Sequence, residues 1–224
     1  MPAISFEQNW SRRTLGNARP SSRFILAGRK TNEDWAIMRQ SLVPGGDVEA
    51  WRKAARDYFE ARLEDRYLRP IKWLQRSEEL RGEGFSIVAI QCTLIEFLES
   101  TIKGKIYKYR GRGEHVYSDS KAMFVAFLTN RVPFQQHFTP EVALDFYKGI
   151  RCGLLHEAQT KRGWRIRAES SDRKRIISAE ELIVYRNPFQ RALISFIAWY
   201  KEELTANSGL QAAFIRKFDN LSIP

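Results

Sequence analysis

The chain has 224 residues, of which 43% are hydrophobic and 28% charged, a composition typical of a folded globular domain rather than a disordered one. This length favours one sizeable domain over two. The net charge of +11 indicates a polyanionic partner, because basic surfaces attract nucleic acids and other polyanions.

Three features of the sequence predict a cytoplasmic protein that does not cross a membrane. The longest wholly apolar stretches, such as residues 196–200, are far shorter than the ~20 residues that span a bilayer. The N-terminus lacks the charged start and apolar run of a secretory signal. The only two cysteines, Cys92 and Cys152, are expected to be reduced and buried, and they are too few to build a zinc site. We therefore predict no metal and no cofactor.

The first half of the chain divides into an arm and two long helices. Residues 1–46 mix Pro, Gly, Ser and Arg with weak periodicity, which predicts an arm with little regular structure. Asp47 is a candidate N-cap for a helix that Pro70 should end or kink, with a second helical piece after it. Residues 84–101 are apolar almost all round, which is typical of a central helix surrounded by neighbours in a bundle.

Two further helices are predicted in the middle of the chain. A capped short helix should begin near Ser118. Pro140 fits the first turn of the next helix, which we expect to reach residue 158. This second helix separates two basic stretches, residues 102–137 and 161–175, each with a net charge of +5.

The last third of the chain changes period before it returns to helices. After Gly163 apolar and basic residues alternate, which predicts a small β-hairpin near 163–178. Asn187 and Pro188 should cap a long helix, and a shorter amphipathic helix closes the chain. The pattern therefore predicts a mostly α fold, with residues 47–224 forming a single helical domain.

One helix carries a pair of residues with the character of a catalytic site. Arg151 and His156 lie five residues apart on the helix that starts at Pro140. Two other Arg and His pairs have a comparable spacing, Arg110 with His115 and Arg131 with His137. The first lies in a Gly-rich stretch and the second contains Pro133, so neither is expected to be held on a helix. Only Arg151 and His156 are therefore expected on an amphipathic helix between core elements.

The Arg151 to His156 spacing in this helical context resembles the HEPN superfamily, the higher eukaryote and prokaryote nucleotide-binding domains. Many of its members are metal-independent RNases with an Arg-x(4–6)-His motif. The resemblance implies an antiparallel helical bundle with the hairpin as an insertion, and an endoribonuclease in a toxin or defence setting. It also implies a homodimer with a composite cleft, in which Gly153 would let the partner's backbone approach closely. The chain departs from the family at Cys152, where catalytic members usually have a polar residue after the Arg.

The chemistry of RNA cleavage explains why such a pair would be useful. Cleavage without a metal needs a group of near-neutral pKa to move protons and a fixed cation to stabilise the charge on the phosphorane. His156 and Arg151 supply these groups, although residues five apart on a helix differ in direction by about 140°. Two copies across a dimer axis could bring the groups together.

A second interpretation of the pair is structural. Arg151 then pairs with a carboxylate and His156 ends a helix, where a cation is favourable. Glu96 is one candidate partner for Arg151, although it could also simply reach solvent. On this interpretation the chain is a catalytically inactive HEPN-like module that binds RNA or a nucleotide, or pairs with a protein.

Two basic segments are candidate RNA contacts. In residues 103–117 basic and aromatic side chains alternate, so the charges could follow a phosphate backbone while rings stack on unpaired bases. In residues 160–175 arginines alternate along a predicted strand and should face one side. Either segment could equally be a solvated surface. The RNA-binding candidates are Lys105, Tyr107, Lys108, Tyr109, Arg110, Arg112, Arg165 and Arg167. We expect RNA and a second copy of the chain as partners, with an antitoxin or regulatory protein as a further one.

Overall fold

The computed structural model describes residues 22–77 and 81–224. The predicted mostly α fold is confirmed, because seven helices contain most residues of these two ranges, which also have seven short strands and one 3-10 turn, Phe134–Gln136. In chain order they are β1 (Ile25–Ala27), β2 (Lys30–Thr31), α1 (Asn32–Arg39), α2 (48–76), α3 (Glu83–Ile102), β3 (Ile106–Tyr107), β4 (Val116–Tyr117), α4 (Ser120–Asn130), α5 (140–157), β5 (Arg165–Arg167), β6 (Ile177–Ser178), β7 (Ile183–Tyr185), α6 (Arg186–Ala206) and α7 (Ser208–Leu221).

Helix α3 is the central helix that its apolar sequence predicts. It contacts α2, α4, α5, α6 and α7, and Leu94 and Ile95 are fully buried. By length and mean hydropathy (1.5) it could cross a membrane, but 56% of its apolar stretch is buried inside the protein. Its apolar character is accounted for by the helices that surround it.

Helix α2 begins as predicted but does not end at Pro70. The Asp47 carboxylate accepts hydrogen bonds from the backbone N–H groups of Glu49 and Ala50, both at 3.1 Å, and so caps the helix. The run then continues through two wide π-helical segments, Ala55–Glu60 and Glu64–Leu68, into the α-helical part Arg69–Arg76. Pro70 lies in the first turn of this last part, where its missing N–H is tolerated.

Residues 22–46 carry more structure than the predicted arm. Strands β1 and β2 form an antiparallel hairpin, and α1 follows with Thr31 and Asp34 in a reciprocal capping box. The Trp35 ring lies 5.0 Å from that of Tyr58, and its Nε1 donates a hydrogen bond to Asp219 at 2.9 Å. The prediction that residues 1–46 form an arm with little regular structure is therefore wrong for residues 22–46, which belong to the folded domain. Residues 1–21 lie outside the described residues.

The predicted hairpin near 163–178 is wrong in its pairing. Strands β5 and β6 both exist within that range, but each pairs with β7, which lies between them in the sheet order β5-β7-β6. Strand β5 is parallel to β7, whereas β6 is antiparallel to it. All three residues of β7 are buried, so this strand lacks the alternation by which half-exposed strands are recognised.

The remaining helix starts agree with the sequence to within two residues. Helix α4 begins at Ser120 with Asp119 as its N-cap, close to the predicted start at Ser118. Helix α5 has Pro140 in its first turn, with Thr139 capping it. It contains a π-helical segment, Tyr147–Cys152, before its last α-helical part, Gly153–Glu157.

Candidate functional site

Arg151 lies in the π-helical segment of α5 and reaches across to α3. Its Nη2 is 3.6 Å from Oε2 of Glu96, and both side chains are only 18% exposed. The guanidinium also lies over the Tyr147 ring, 5.4 Å from its centroid. Burial raises the pKa of the Tyr147 phenol, although the positive charge of Arg151 opposes that shift. A carboxylate and a ring therefore fix Arg151 in a half-buried position.

Glu96 is the centre of this cluster rather than a side chain in solvent. Its Oε1 accepts hydrogen bonds from the Tyr117 hydroxyl at 3.1 Å and from Ser120 Oγ at 2.8 Å. Burial, and then the charge of Glu96, raise the pKa of Tyr117, so its hydroxyl stays a donor. The carboxylate thus joins α3 and α5 to strand β4 and the first turn of α4.

His156 is exposed in the last turn of α5, and Ala158 closes the helix in a left-handed conformation. Within the described residues, no hydrogen bond or ion pair joins Arg151 to His156. Cys152, the residue after Arg151, is half-buried, and Cys92 is buried nearby on α3. Burial raises the pKa of Cys92 to about 12, so this thiol stays protonated. One copy of the chain thus presents a held cation and a separate, solvent-facing imidazole.

The glycines of α5 make room for the chain's own backbone. A Cβ on Gly153 would lie 2.5 Å from the carbonyl oxygen of Gln159, and one on Gly149 would lie 2.4 Å from the Trp164 ring. Trp164 is held there by a hydrogen bond from Nε1 to Asp145 at 2.8 Å. The expectation that Gly153 leaves room for a partner's backbone is therefore wrong, because the loop after α5 of the same chain fills that space.

The other two Arg and His pairs are not held on a helix, as predicted. Arg131 donates to the buried carboxylate of Glu99 from Nε at 2.9 Å and from Nη2 at 3.1 Å, and Lys103 pairs with the same carboxylate at 2.9 Å. His137, the histidine paired with Arg131 in the sequence, lies on a turn, and burial lowers its pKa. Arg110 and His115 lie in the loop between β3 and β4.

We call residues 103–117, which include both strands and the connection between them, the β3–β4 loop. This segment presents the basic and aromatic side chains predicted to contact RNA. Tyr107 is 47% and Tyr109 is 74% exposed, and the guanidinium of Arg110 lies 5.1 Å from the Tyr109 ring centroid. Lys103 pairs with Glu99, whereas within residues 22–77 and 81–224 no ion pair is formed by Lys105, Lys108, Arg110 or Arg112. Strands β3 and β4 pair in parallel within this segment, and the ring centroids of Tyr107 and Tyr117 lie 5.5 Å apart.

Arg165 and Arg167 are both exposed on β5, with the half-buried Ile166 between them, so they face one side as expected. Arg165 donates a hydrogen bond to the carbonyl of Glu181 at 3.1 Å. The structure places these two arginines in the three-stranded sheet, separate from the β3–β4 loop.

The sequence analysis did not identify several residues that the structure places in the Glu96 cluster or on an exposed helix face. Tyr117 and Ser120 gave no signal as partners of Glu96, because they lie 21 and 24 residues away along the chain. Trp73 is the most exposed tryptophan among the described residues, at 76%. Its position between Arg69 and Arg76, at spacings of four and three, is a signal that the sequence did contain.

Among the described residues there is no group of three or more His, Cys, Asp or Glu side chains that could hold a metal ion. No family model, curated protein or solved structure matches the chain. The resemblance to the HEPN superfamily therefore depends on the Arg151 to His156 spacing and on the helical setting in which it lies.

Proposed function

We propose that the chain is a HEPN-like, metal-independent endoribonuclease whose active form is a homodimer. The observation that carries this proposal is the contrast between the two site residues: Arg151 is fixed by Glu96 and Tyr147, whereas His156 faces solvent. A fixed cation and an accessible proton carrier are the two groups that RNA cleavage needs.

The reaction uses the RNA's own 2′-hydroxyl as the nucleophile. Its oxygen attacks the adjacent phosphorus, the bond from phosphorus to the 5′-oxygen breaks, and the products carry a 2′,3′-cyclic phosphate and a 5′-hydroxyl. His156 moves a proton between these two oxygens, and Arg151 stabilises the extra negative charge on the phosphorane.

A shared site accounts for the separation of the two groups within one copy. Arg151 is turned towards α3, and His156 lies at the exposed end of α5. Two α5 helices that pack across a two-fold axis bring the imidazole of one copy to the arginine of the other. The phosphate then sits between the copies.

The β3–β4 loop is the proposed contact for the rest of the RNA strand. Its exposed tyrosine rings stack on unpaired bases, and its cations follow the phosphates. Arg165 and Arg167 on β5 are a second proposed contact for phosphates of the RNA. We propose a cytoplasmic toxin or defence protein, with RNA as substrate and an antitoxin or regulatory protein as its control.

One observation favours a second candidate function, a catalytically inactive RNA-binding module. The Glu96 carboxylate already neutralises Arg151, so a phosphate must compete with it for the guanidinium. Cys152 is a weak hydrogen-bonding group at the position where catalytic HEPN proteins usually have a polar one. In this function the β3–β4 loop binds RNA, and the α5 residues only stabilise the fold.

Cleavage of single-stranded RNA in excess chelator separates the two functions. We expect the wild-type chain to cut RNA and the His156→Ala variant to lose at least about 100-fold in rate, since general acid–base catalysis contributes 10²- to 10⁴-fold. The matched control is His137→Ala, which removes a histidine outside both α5 and the β3–β4 loop and should leave the rate of cleavage unchanged. The melting temperature of His156→Ala should stay near that of the wild type, because the exposed ring contributes little packing.

Sedimentation tests the shared site. We expect a dimer at micromolar concentration, and RNA cleavage that falls as the dimer dissociates. A monomer with full activity contradicts the composite site. RNA binding without cleavage by the wild type, at any protein concentration, supports the inactive module instead.

A further inference from the structure

The outer face of the last part of α2 carries an exposed tryptophan between two arginines. Arg69, Trp73 and Arg76 follow one another at spacings of four and three, so they lie on one side of the α-helical segment Arg69–Arg76. Trp73 is 76% exposed, and this segment contains no acidic residue. The Arg69 guanidinium pairs with Asp65 at 3.0 Å, an exposed ion pair of the weak kind that a phosphate can displace.

Two further cations, one earlier on α2 and one on α7, lie near the β3–β4 loop. Arg62 and Lys217 both lie over the ring of Phe97, at 5.5 and 5.4 Å from its centroid. The Lys217 ammonium also donates a hydrogen bond to the carbonyl of Lys105, the first basic candidate of the loop, at 3.0 Å. The earlier part of α2 that carries Arg62 is thus joined to the backbone of Lys105 through Lys217 and the Phe97 ring.

These cations are close enough to oppose one another's charge. Burial, and then Arg66, lower the pKa of Arg62 to about 10. Burial, and then Arg62, lower the pKa of Lys217 to about 8. The guanidinium of Arg66 is fixed beside them by a hydrogen bond to the carbonyl of Leu26 at 3.3 Å. Lys217 is buried and Arg62 is half-buried, so among these three cations Arg66 is the one exposed to a ligand in solution.

We propose that this helix face is a second RNA-binding surface, on which Trp73 stacks on an unpaired base while Arg69 and Arg76 bind neighbouring phosphates. The proposal rests on RNA being the ligand, as in the proposed function, and it extends the contact beyond the β3–β4 loop. An anionic membrane fits this face less well, because a helix on a membrane needs a broad apolar side. Here Ile71 is fully buried in the protein, and Trp73 is the one large apolar side chain exposed on the segment.

Tryptophan fluorescence during titration with single-stranded oligouridylate tests the stacking directly. We expect RNA to quench the indole emission of the wild type, and Trp73→Ala to lose most of that quenching. Its affinity should fall about 5- to 100-fold, the effect of removing one ring that stacks on a base. The matched control is Trp199→Ala, which removes an indole that is 45% exposed on α6, away from this surface. This control should bind and quench like the wild type.

Salt dependence tests the phosphate contacts. Arg76→Gln should weaken binding and reduce the slope of log affinity against log salt by about 0.7, the value for one phosphate on a single strand. Arg52→Gln is the control, since Arg52 lies on the first part of α2 beside Glu49. An unchanged slope in Arg76→Gln overturns the phosphate contact.

The outcomes separate this inference from the proposed function. If Tyr109→Ala weakens RNA binding and Trp73→Ala does not, the second surface is overturned and the loop contact stands. If RNA binding depends on Trp73 but the wild type cuts no RNA, the second surface stands and the nuclease does not. If the wild type binds no RNA, both are overturned, and binding of anionic vesicles that requires Trp73 would assign the surface to a membrane.

Discussion

The contact between Arg151 and Glu96 decides how much of the arginine's charge is free for RNA, so its strength is the first quantity to measure. The perturbations are Arg151→Gln, Glu96→Gln and the double variant. At 3.6 Å between Nη2 and Oε2, and an effective dielectric constant near 20, the attraction is about 4 to 5 kcal/mol. Removing both groups from most of their water offsets much of that. We therefore expect a net coupling energy of about 1 to 2 kcal/mol.

Urea unfolding of the wild type and the three variants gives this coupling energy as a double-mutant cycle. The control cycle uses Glu49 and Arg52, whose side chains are 74% and 57% exposed and should couple by less than about 0.5 kcal/mol. A coupling between Glu96 and Arg151 no larger than that of the control would refute the reasoning. It would mean that solvent screens this pair as fully as one on the surface.

Three further predictions concern stability. Glu99→Gln removes the charge of a buried carboxylate that has two cationic partners, so the free energy of unfolding should fall by about 3 kcal/mol. The control, Glu114→Gln on the surface, should lower it by less than about 0.5 kcal/mol. Equal losses would contradict the stabilising role of the buried pair. Burial lowers the pKa of Lys217 to about 8 from 10.5, so the unfolded chain binds this proton more tightly and stability should rise above pH 8. In urea unfolding near pH 7.5 and 9.5 that rise should be smaller in Lys217→Met, and an equal rise in both would refute the assignment. Gly149→Ala places a Cβ against the Trp164 ring and should cost about 1 to 3 kcal/mol, measured by the same unfolding; no loss would show that the ring moves freely.

Helices whose starts depend on neighbouring residues were predictable from the sequence. Asp47 caps α2 with its own carboxylate, and Pro140 lies in the first turn of α5, so both signals are local. Helix α3 was recognisable because its apolar residues cover all sides. Two of these three elements, α3 and α5, carry Glu96 and Arg151 of the candidate site.

Features that depend on distant parts of the chain were not predictable. Strand β7 takes both of its partners from earlier segments, so its place between β5 and β6 has no local signal. The helical run continues past Pro70 after a π-helical segment, Glu64–Leu68, that no residue pattern in the sequence predicted. Glu96 and Arg151 are 55 positions apart, so their pairing was one of two open alternatives until the fold brought α3 and α5 together.

The central claim is that His156 and Arg151 cleave RNA through the neighbouring 2′-hydroxyl without a metal. An oligodeoxynucleotide with one internal ribonucleotide, incubated with the wild-type chain in excess chelator, tests it most directly. We predict a single cut after the ribonucleotide that leaves a 2′,3′-cyclic phosphate, no cut in the all-deoxy strand, and loss of the cut in His156→Ala and in Arg151→Ala. Cleavage at deoxyribonucleotide positions, or an equal rate of cutting in His156→Ala, would contradict the account.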